Sequence, residues 1–279
     1  MSTLTIDGLH AQLHGPENPD TIVVAAHGLC MSSTSWARVL HDVRVAHPQT
    51  ATLAYDHRGH GRSPRRDQET VTIDTVARDL ATVMAHARTI ADRVILLGHS
   101  LGGMAILTAA TAAGDSAIAD GIVLVDTSSG DLCDHGLLRL VPAAVARRLP
   151  EFAQTHPAVF DRLWQIMRPA LSPILGERAH CNQDIRPDAT TIASILGSLR
   201  DWSVTGHLGR ITAPVHALVG NLDALTPPVH ARRIADGVGD GRLEVILGGH
   251  NLLLEPLGVV RIRAALSALL TPATAPVAA

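Results

Sequence analysis

"ILLGHSLGG", residues 95–103, is the stretch on which the reading of this chain turns. An apolar run stops at Gly98, a single Ser follows at position 100, and two more glycines come at 102 and 103. Gly98-His99-Ser100-Leu101-Gly102 fits G-x-S-x-G, with strand-like "RVILLG" before it and helix-like "LGGMAILTAATAAG" after it. A tight strand-to-helix turn forces its central residue into a strained conformation. The residues two positions away on either side then crowd each other, and Gly98 and Gly102 carry no side chains to collide. Gly103 lets the helix pack close to the sheet. The turn lifts the Ser oxygen clear of the backbone, beside a helix N-terminus that favours negative charge. Without its flanking elements the same pentapeptide is only a glycine-rich turn; with them it predicts a nucleophile.

Outward from this turn, short β-branched strands alternate with helical patterns. "LTIDGLHAQL" reads as a hairpin about Asp7-Gly8. "TIVVAA", "TATLAYD", "RVILLG" and "GIVLVD" read as strands. Helical spacing recurs at Trp36, Val39, Leu40 and Val43, and at Ile73, Val76, Leu80, Val83 and Met84. The alternation predicts an α/β fold, a mostly parallel doubly wound sheet covered on both faces. From 128 to 207 the rhythm breaks into helical fragments cut by Pro142, Pro150, Pro157, Pro169, Pro173 and Pro187. It resumes with "APVHALVG", "PPVHARRIADGV", "GRLEVILGG" and "EPLGVVRIRAALSALL". The predicted organisation is a core of 1–127 and 208–270, a helical lid inserted at 128–207, and a frayed tail at 271–279.

Composition narrows the function classes. The chain has 279 residues, 46% hydrophobic, with a net charge of -3, enough for one large core and no electrostatic call for nucleic acid or an anionic membrane. All 23 basic residues are Arg, which excludes Schiff-base chemistry on a lysine. That Lys-free, Ala- and Arg-rich usage is of the kind found in high-GC bacterial genomes. Cys30, Cys133 and Cys181 form neither a disulfide framework nor a zinc pair, and a reducing cytoplasm is expected. The N-terminus lacks a signal-peptide pattern, and no apolar run is long enough to span a bilayer.

A Ser hydroxyl needs a base. With 16 His in the chain, position has to choose one. His250 in "VILGGHNLLLEP" follows the last strand, at the end where the sites of parallel sheets gather. Asp223 in "LVGNLDALTPP" follows the preceding strand and would orient that His. The order Ser100, Asp223, His250 is the one this kind of sheet uses. Asp126, after "GIVLVD", is the rival acid. For the oxyanion, the N–H of Leu101 follows the nucleophile, and Leu29 in "AAHGLCMSS" is the second expected donor, ahead of Cys30. His27 in that loop is expected to brace the turn. Four of the chain's six aromatics, Phe152, Phe160, Trp164 and Trp202, fall in the insertion, where most are expected to form its own core. Cys30, Met31, Phe160, Trp164 and Trp202 are the candidates to line a substrate pocket.

Together these residues resemble the α/β-hydrolase superfamily, in its Ser-nucleophile esterase and haloperoxidase-like branch. "HGLCMSSTSW" resembles the oxyanion loop, "YDHRGHGRS" the D-x-R-G-x-G-x-S segment, "GHSLGG" the nucleophile elbow and "GGHNLLLEP" the His loop. The resemblance implies a carboxylesterase-like serine hydrolase that acts on a small-molecule ester through an acyl-enzyme. Branches that place Asp at the elbow, such as epoxide hydrolases and haloalkane dehalogenases, are set aside by Ser100. Non-hydrolytic or related triad chemistry (acyl elimination, C–C hydrolysis, perhydrolysis) and a small-molecule receptor on a hydrolase fold are the alternatives. Asp56, Arg58 and Gly61 are read as structural. No metal site is expected, since His57 and His60 lack a zinc site's spacing, and no cofactor is expected, since neither G-x-G-x-x-G nor a Walker loop is present.

Overall fold

The computed structural model describes residues 1–65, 70–114, 117–140, 143–160, 162–163, 166 and 187–271. Trp164, Cys181, Pro142, Pro169, Pro173 and the tail from 272 onward lie outside them. Eight strands form one sheet: β1 (Ser2–Ile6), β2 (Leu9–His14), β3 (Thr21–Ala26), β4 (Thr50–Tyr55), β5 (Arg93–His99), β6 (Gly121–Val125), β7 (Val215–Gly220) and β8 (Gly241–Ile246). Their spatial order is β1-β2-β4-β3-β5-β6-β7-β8. The β1–β2 hairpin turns at Asp7 and Gly8, both at positive φ (49° and 82°), and runs antiparallel onto β4. Every pairing from β4 across to β8 is parallel.

The apolar runs are continuous because the central strands are buried on both faces. Alternate residues then enter different cores. Ile22, Val24, Val94, Leu96, Ile122 and Leu124 join one cluster. Val23, Ala25, Ile95, Leu97, Val123 and Val125 join the other. Helices α2 (Ile73–Ala87) and α3 (Leu101–Ala113) cover the first face. Helix α1 (Ala37–Ala46) and the C-terminal helix Pro256–Leu270 cover the second.

Between β6 and β7 run α4 (Ala143–Thr155) and α5 (Ala189–Leu199). Pro150 does not end α4 as its sequence position predicts. The helix carries it in its interior, giving up one backbone N–H bond. Pro157 does act as a boundary: it opens the helical stretch 157–160, where a missing N–H costs nothing. Helix α5 has two loyalties. Ile195 and Leu199 belong to the main core, whereas Ala193 joins Ala153 and Phe160 in a small separate cluster. The chain then returns through β7, α6 (Pro228–Gly237), β8 and α7 (Pro256–Leu270). Among the described residues no helix is long and apolar enough to cross a membrane.

This topology places the site. After β3 the chain forms β4 on one side, then crosses back to form β5 on the other. Such a switch point leaves a crevice at the strand C-termini. The register sets Ala26 beside Gly98, His99 beside Val125, and Gly220 beside Ile246. The loops after β3, β5, β6, β7 and β8 therefore leave the sheet at one edge.

The segment after β4 is tied down by charge. Asp56 accepts the Ser33 N–H at 2.7 Å and the Arg62 N–H at 2.9 Å. Arg58 forks onto Asp79 of α2, with Nε to Oδ2 at 3.0 Å, and both side chains are buried. Removing one partner strands the other's charge without water. Arg58→Ala is expected to lower unfolding free energy by about 3–5 kcal/mol, read as a fall in the urea midpoint. Arg261→Ala, whose partner Glu244 lies on the edge strand β8, should leave that midpoint nearly unchanged.

Candidate active site

Ser100 has φ 48° and ψ -115°, a conformation L-residues avoid. Its N–H donates to Val125 O at 3.0 Å, and its own carbonyl accepts the Thr127 hydroxyl at 2.7 Å. The glycines act differently from the sequence expectation that they would relieve each other. A Cβ on Gly98 would lie 2.8 Å from the Gly103 Cα, and one on Gly102 would lie 2.3 Å from the Ala26 carbonyl oxygen at the end of β3. Gly103 faces Thr127, whose Oγ1 would be 2.7 Å from an added Cβ. The turn is thus held between β3, β6 and its own helix.

The structure brings Ser100, His250 and Asp223 into one line. His250 Nε2 lies 3.1 Å from Ser100 Oγ, and His250 Nδ1 lies 2.8 Å from Asp223 Oδ2. Asp223 is occupied on both oxygens: Oδ1 accepts the N–H groups of Leu225 (2.8 Å) and Thr226 (2.9 Å), and Oδ2 also accepts the Thr226 hydroxyl at 2.7 Å. Burial alone would raise the Asp223 carboxyl, but His250 and Thr226 hold it below the usual range. An acceptor-only carboxylate requires the proton on Nδ1, which leaves the Nε2 lone pair facing Ser100. Burial works against a charged His250; the Asp223 hydrogen bond, with the charges of Asp223 and Asp126, outweighs it and holds the imidazole above its ordinary value.

Asp126, the rival acid, does not take the imidazole. Its Oδ1 accepts the Gly220 N–H at 2.9 Å and its Oδ2 the Leu252 N–H at 3.0 Å. The sequence reading did not single out two further contributors. His99 Nε2 donates to the His250 carbonyl at 2.8 Å, and Thr226 supplies two donors to Asp223. Thr226 had a sequence signal, since Asp followed by Thr three residues later before Pro-Pro marks a side-chain-capped turn. The His99 contact spans 151 residues and had none.

The loop after β3 turns at 28–31, with Met31 N–H on Gly28 O at 3.2 Å and Cys30 at φ 61°. Leu29 occupies the second position of that turn, and Leu101 is the first residue of α3, where backbone N–H groups lack intrahelical partners. Gly28 is required by proximity: a Cβ there would lie 2.5 Å from His99 Nδ1. His27 anchors the loop from below. Its Nε2 accepts the His57 N–H at 3.0 Å, its Nδ1 donates to Gly28 O at 2.8 Å, and His57 Nε2 donates to His27 O at 2.7 Å. His60 packs against both rings.

The remaining pocket candidates separate. Cys30 and Met31 are buried in the loop beside Gly28. Phe160 packs with Ala153 and Ala193. Trp202 Nε1 donates to Thr108 Oγ1 at 3.0 Å, about 12 Å along α3 from Ser100 by helical rise. The contacts seen for Phe160 and Trp202 are thus packing against α4 and α5 and a hydrogen bond to α3. Among the described residues, no group of three or more His, Cys, Asp or Glu is arranged to hold a metal ion.

Comparison with known proteins agrees with the fold. The family described as serine aminopeptidase, S33, matches residues 17–257. RutD of Variovorax paradoxus, whose name assigns it carbamate hydrolysis, is 29% identical over 249 residues, covering 87% of this chain and 89% of RutD. A hydrolase from Pseudomonas aeruginosa superposes with a TM-score of 0.75 at 23% identity, covering 96% of this chain and 97% of that one. A thermophilic esterase from Thermogutta terrifontis superposes with a TM-score of 0.70 at 18% identity, covering 96% and 97%.

The buried imidazoles make the site acid-sensitive. Burial pushes His27 and His57 well below the ordinary His range, His60 to about 4 and His99 to about 3. In the unfolded chain each binds a proton near pH 6.5. Their contribution is therefore complete above pH 6.5 and is lost as pH falls from there toward their folded values. Urea unfolding is expected to show stability dropping as pH falls from 6.5 to 5, with a slope that approaches at most about 1.4 kcal/mol per pH unit for one such histidine. His60→Asn should flatten that slope; a pH-independent midpoint across the window would contradict the assignment.

Proposed function

The chain belongs to the serine aminopeptidase S33 family of α/β-hydrolases, and we propose that it is a serine hydrolase that cleaves a small-molecule ester through an acyl-enzyme on Ser100. The observation that carries this reading is the continuous chain from Asp223 through His250 to Ser100 Oγ, at 2.8 and 3.1 Å. Ser100 Oγ attacks the ester carbonyl carbon while His250 Nε2 takes its proton. The N–H groups of Leu29 and Leu101 receive the oxyanion. His250 then returns the proton to the departing alkoxide, leaving the acyl group on Ser100. A water, deprotonated by His250, attacks that acyl carbon and releases a carboxylic acid. Asp223 stays ionised throughout and steadies the imidazolium. Residues 128–207 act in this reading as a cap that shapes what reaches Ser100, in a cytoplasmic enzyme without a cofactor.

A second substrate class follows from one finding. RutD, matched over most of both chains, carries carbamate hydrolysis in its name. The same attack on a carbamate carbonyl would break its C–O bond, transfer the carbamoyl group to Ser100 and release the alcohol, and water would then release the carbamic acid.

A panel of p-nitrophenyl esters of increasing acyl length, thioesters and carbamates ranks these classes. Ser100→Ala and His250→Ala are expected to lower kcat by about 10⁴- to 10⁶-fold on whichever is turned over, and Asp223→Asn by about 10⁴-fold. Unchanged p-nitrophenyl acetate hydrolysis by Ser100→Ala would sink the assignment. Product mass separates hydrolysis, which retains the hydroxyl on the released alcohol, from elimination, which does not.

A further inference from the structure

The end of β6 and the two residues after it bond to the nucleophile turn after β5, the end of β7 and the loop after β8. Val125 O accepts the Ser100 N–H, and the Thr127 hydroxyl donates to Ser100 O. Between them Asp126 reaches the other two loops. Gly220, whose N–H it accepts, lies three residues before Asp223; Leu252, whose N–H it also accepts, lies two residues after His250. The Asp126 backbone is itself fixed, with its N–H on Leu218 O at 2.9 Å and φ at 47°. The carboxyl group is fully buried.

We infer that Asp126 is a positioning residue: it clamps the loop that carries His250 to the end of β7, three residues before Asp223. The inference rests on the catalytic reading of Ser100 and His250 given above. Two N–H groups, one on each oxygen, are what a carboxylate accepts and what an amide satisfies at one oxygen only. A carboxyl in this position is expensive. Burial pushes Asp126 up to about 8, against the opposing pull of His250 and the two N–H bonds, while the Asp223 charge adds to the rise. The titratable groups facing it are His99 from the end of β5, with Nε2 at 4.0 Å from Oδ2, Asp223 from the loop after β7 and His250 from the loop after β8. An isolated buried charge does little for stability. Its use here is geometric: it sets the spacing of the two loops and so the aim of His250 at Ser100.

Asp126→Asn tests this, because Asn tolerates positive φ as readily as Asp and leaves the backbone unstrained. The variant is expected to keep KM within about twofold and to lose kcat by about 10- to 100-fold through displaced loops. Wild-type kcat, whatever the melting temperature, overturns the inference. Hydrogen exchange at the Leu252 amide of the wild-type protein tests the clamp even if the variant does not fold. Protection comparable to Gly220 is expected, and exchange as fast as an exposed loop amide overturns it. Ser100→Ala and His250→Ala run alongside separate the two readings. Retained turnover in those controls rejects the site itself, while their inactivity beside a wild-type-like Asp126→Asn rejects only the role of Asp126.

Discussion

A φ of 48° at Ser100 is the constraint around which the surrounding structure is built. An L-residue resists this conformation by roughly 1–2 kcal/mol, so neighbours must impose it. The imposition is steric and directional. Gly102 lets the helix start press against the Ala26 carbonyl, Gly98 lets α3 fold back over β5, and Val125 and Thr127 hold the Ser100 main chain on both sides. Strand order does the rest, because β3, β5 and β6 are adjacent and end at the same level. The parallel sheet is thus the reference frame in which one hydroxyl is held.

The polar residues beneath the site are satisfied in a particular way. His27, His57 and His99 use backbone groups of other loops as partners. Each is buried and neutral, so it can join two loops without bringing a charge into the core. Asp223 has four donors on its two oxygens, and one of them is the imidazole. The charge of the site is therefore concentrated in Asp223 and His250, with neutral rings as spacers.

Much of this was legible in the sequence, for physical reasons. Strands buried on both faces read as unbroken apolar runs, which made β3, β5 and β6 visible. The elbow glycines were visible because only a residue without Cβ fits there. Ser100, Asp223 and His250 could be picked from many Ser, Asp and His because each follows a strand. The contacts missed were those set by tertiary placement. Asp126 looked like a second candidate acid, because nothing local says that its carboxyl meets N–H groups 94 and 126 residues away. The bond from Trp202 to Thr108 was likewise invisible, because its partner lies 94 residues earlier. Pro150 looked like a break because propensity reads a proline alone, whereas the packing of α4 on α5 tolerates it.

Helix α5 carries a consequence of another kind. One side of it contributes Ile195 and Leu199 to the sheet's own core, and Ala193 on the same helix packs with Ala153 and Phe160. Its Ser198 hydroxyl also receives the Ile73 N–H at the start of α2, at 3.0 Å. A segment shared in this way cannot melt alone without exposing apolar surface in both clusters. Helices α4 and α5 are therefore coupled to the sheet they adjoin, and are expected to unfold with it in a single calorimetric transition in place of two.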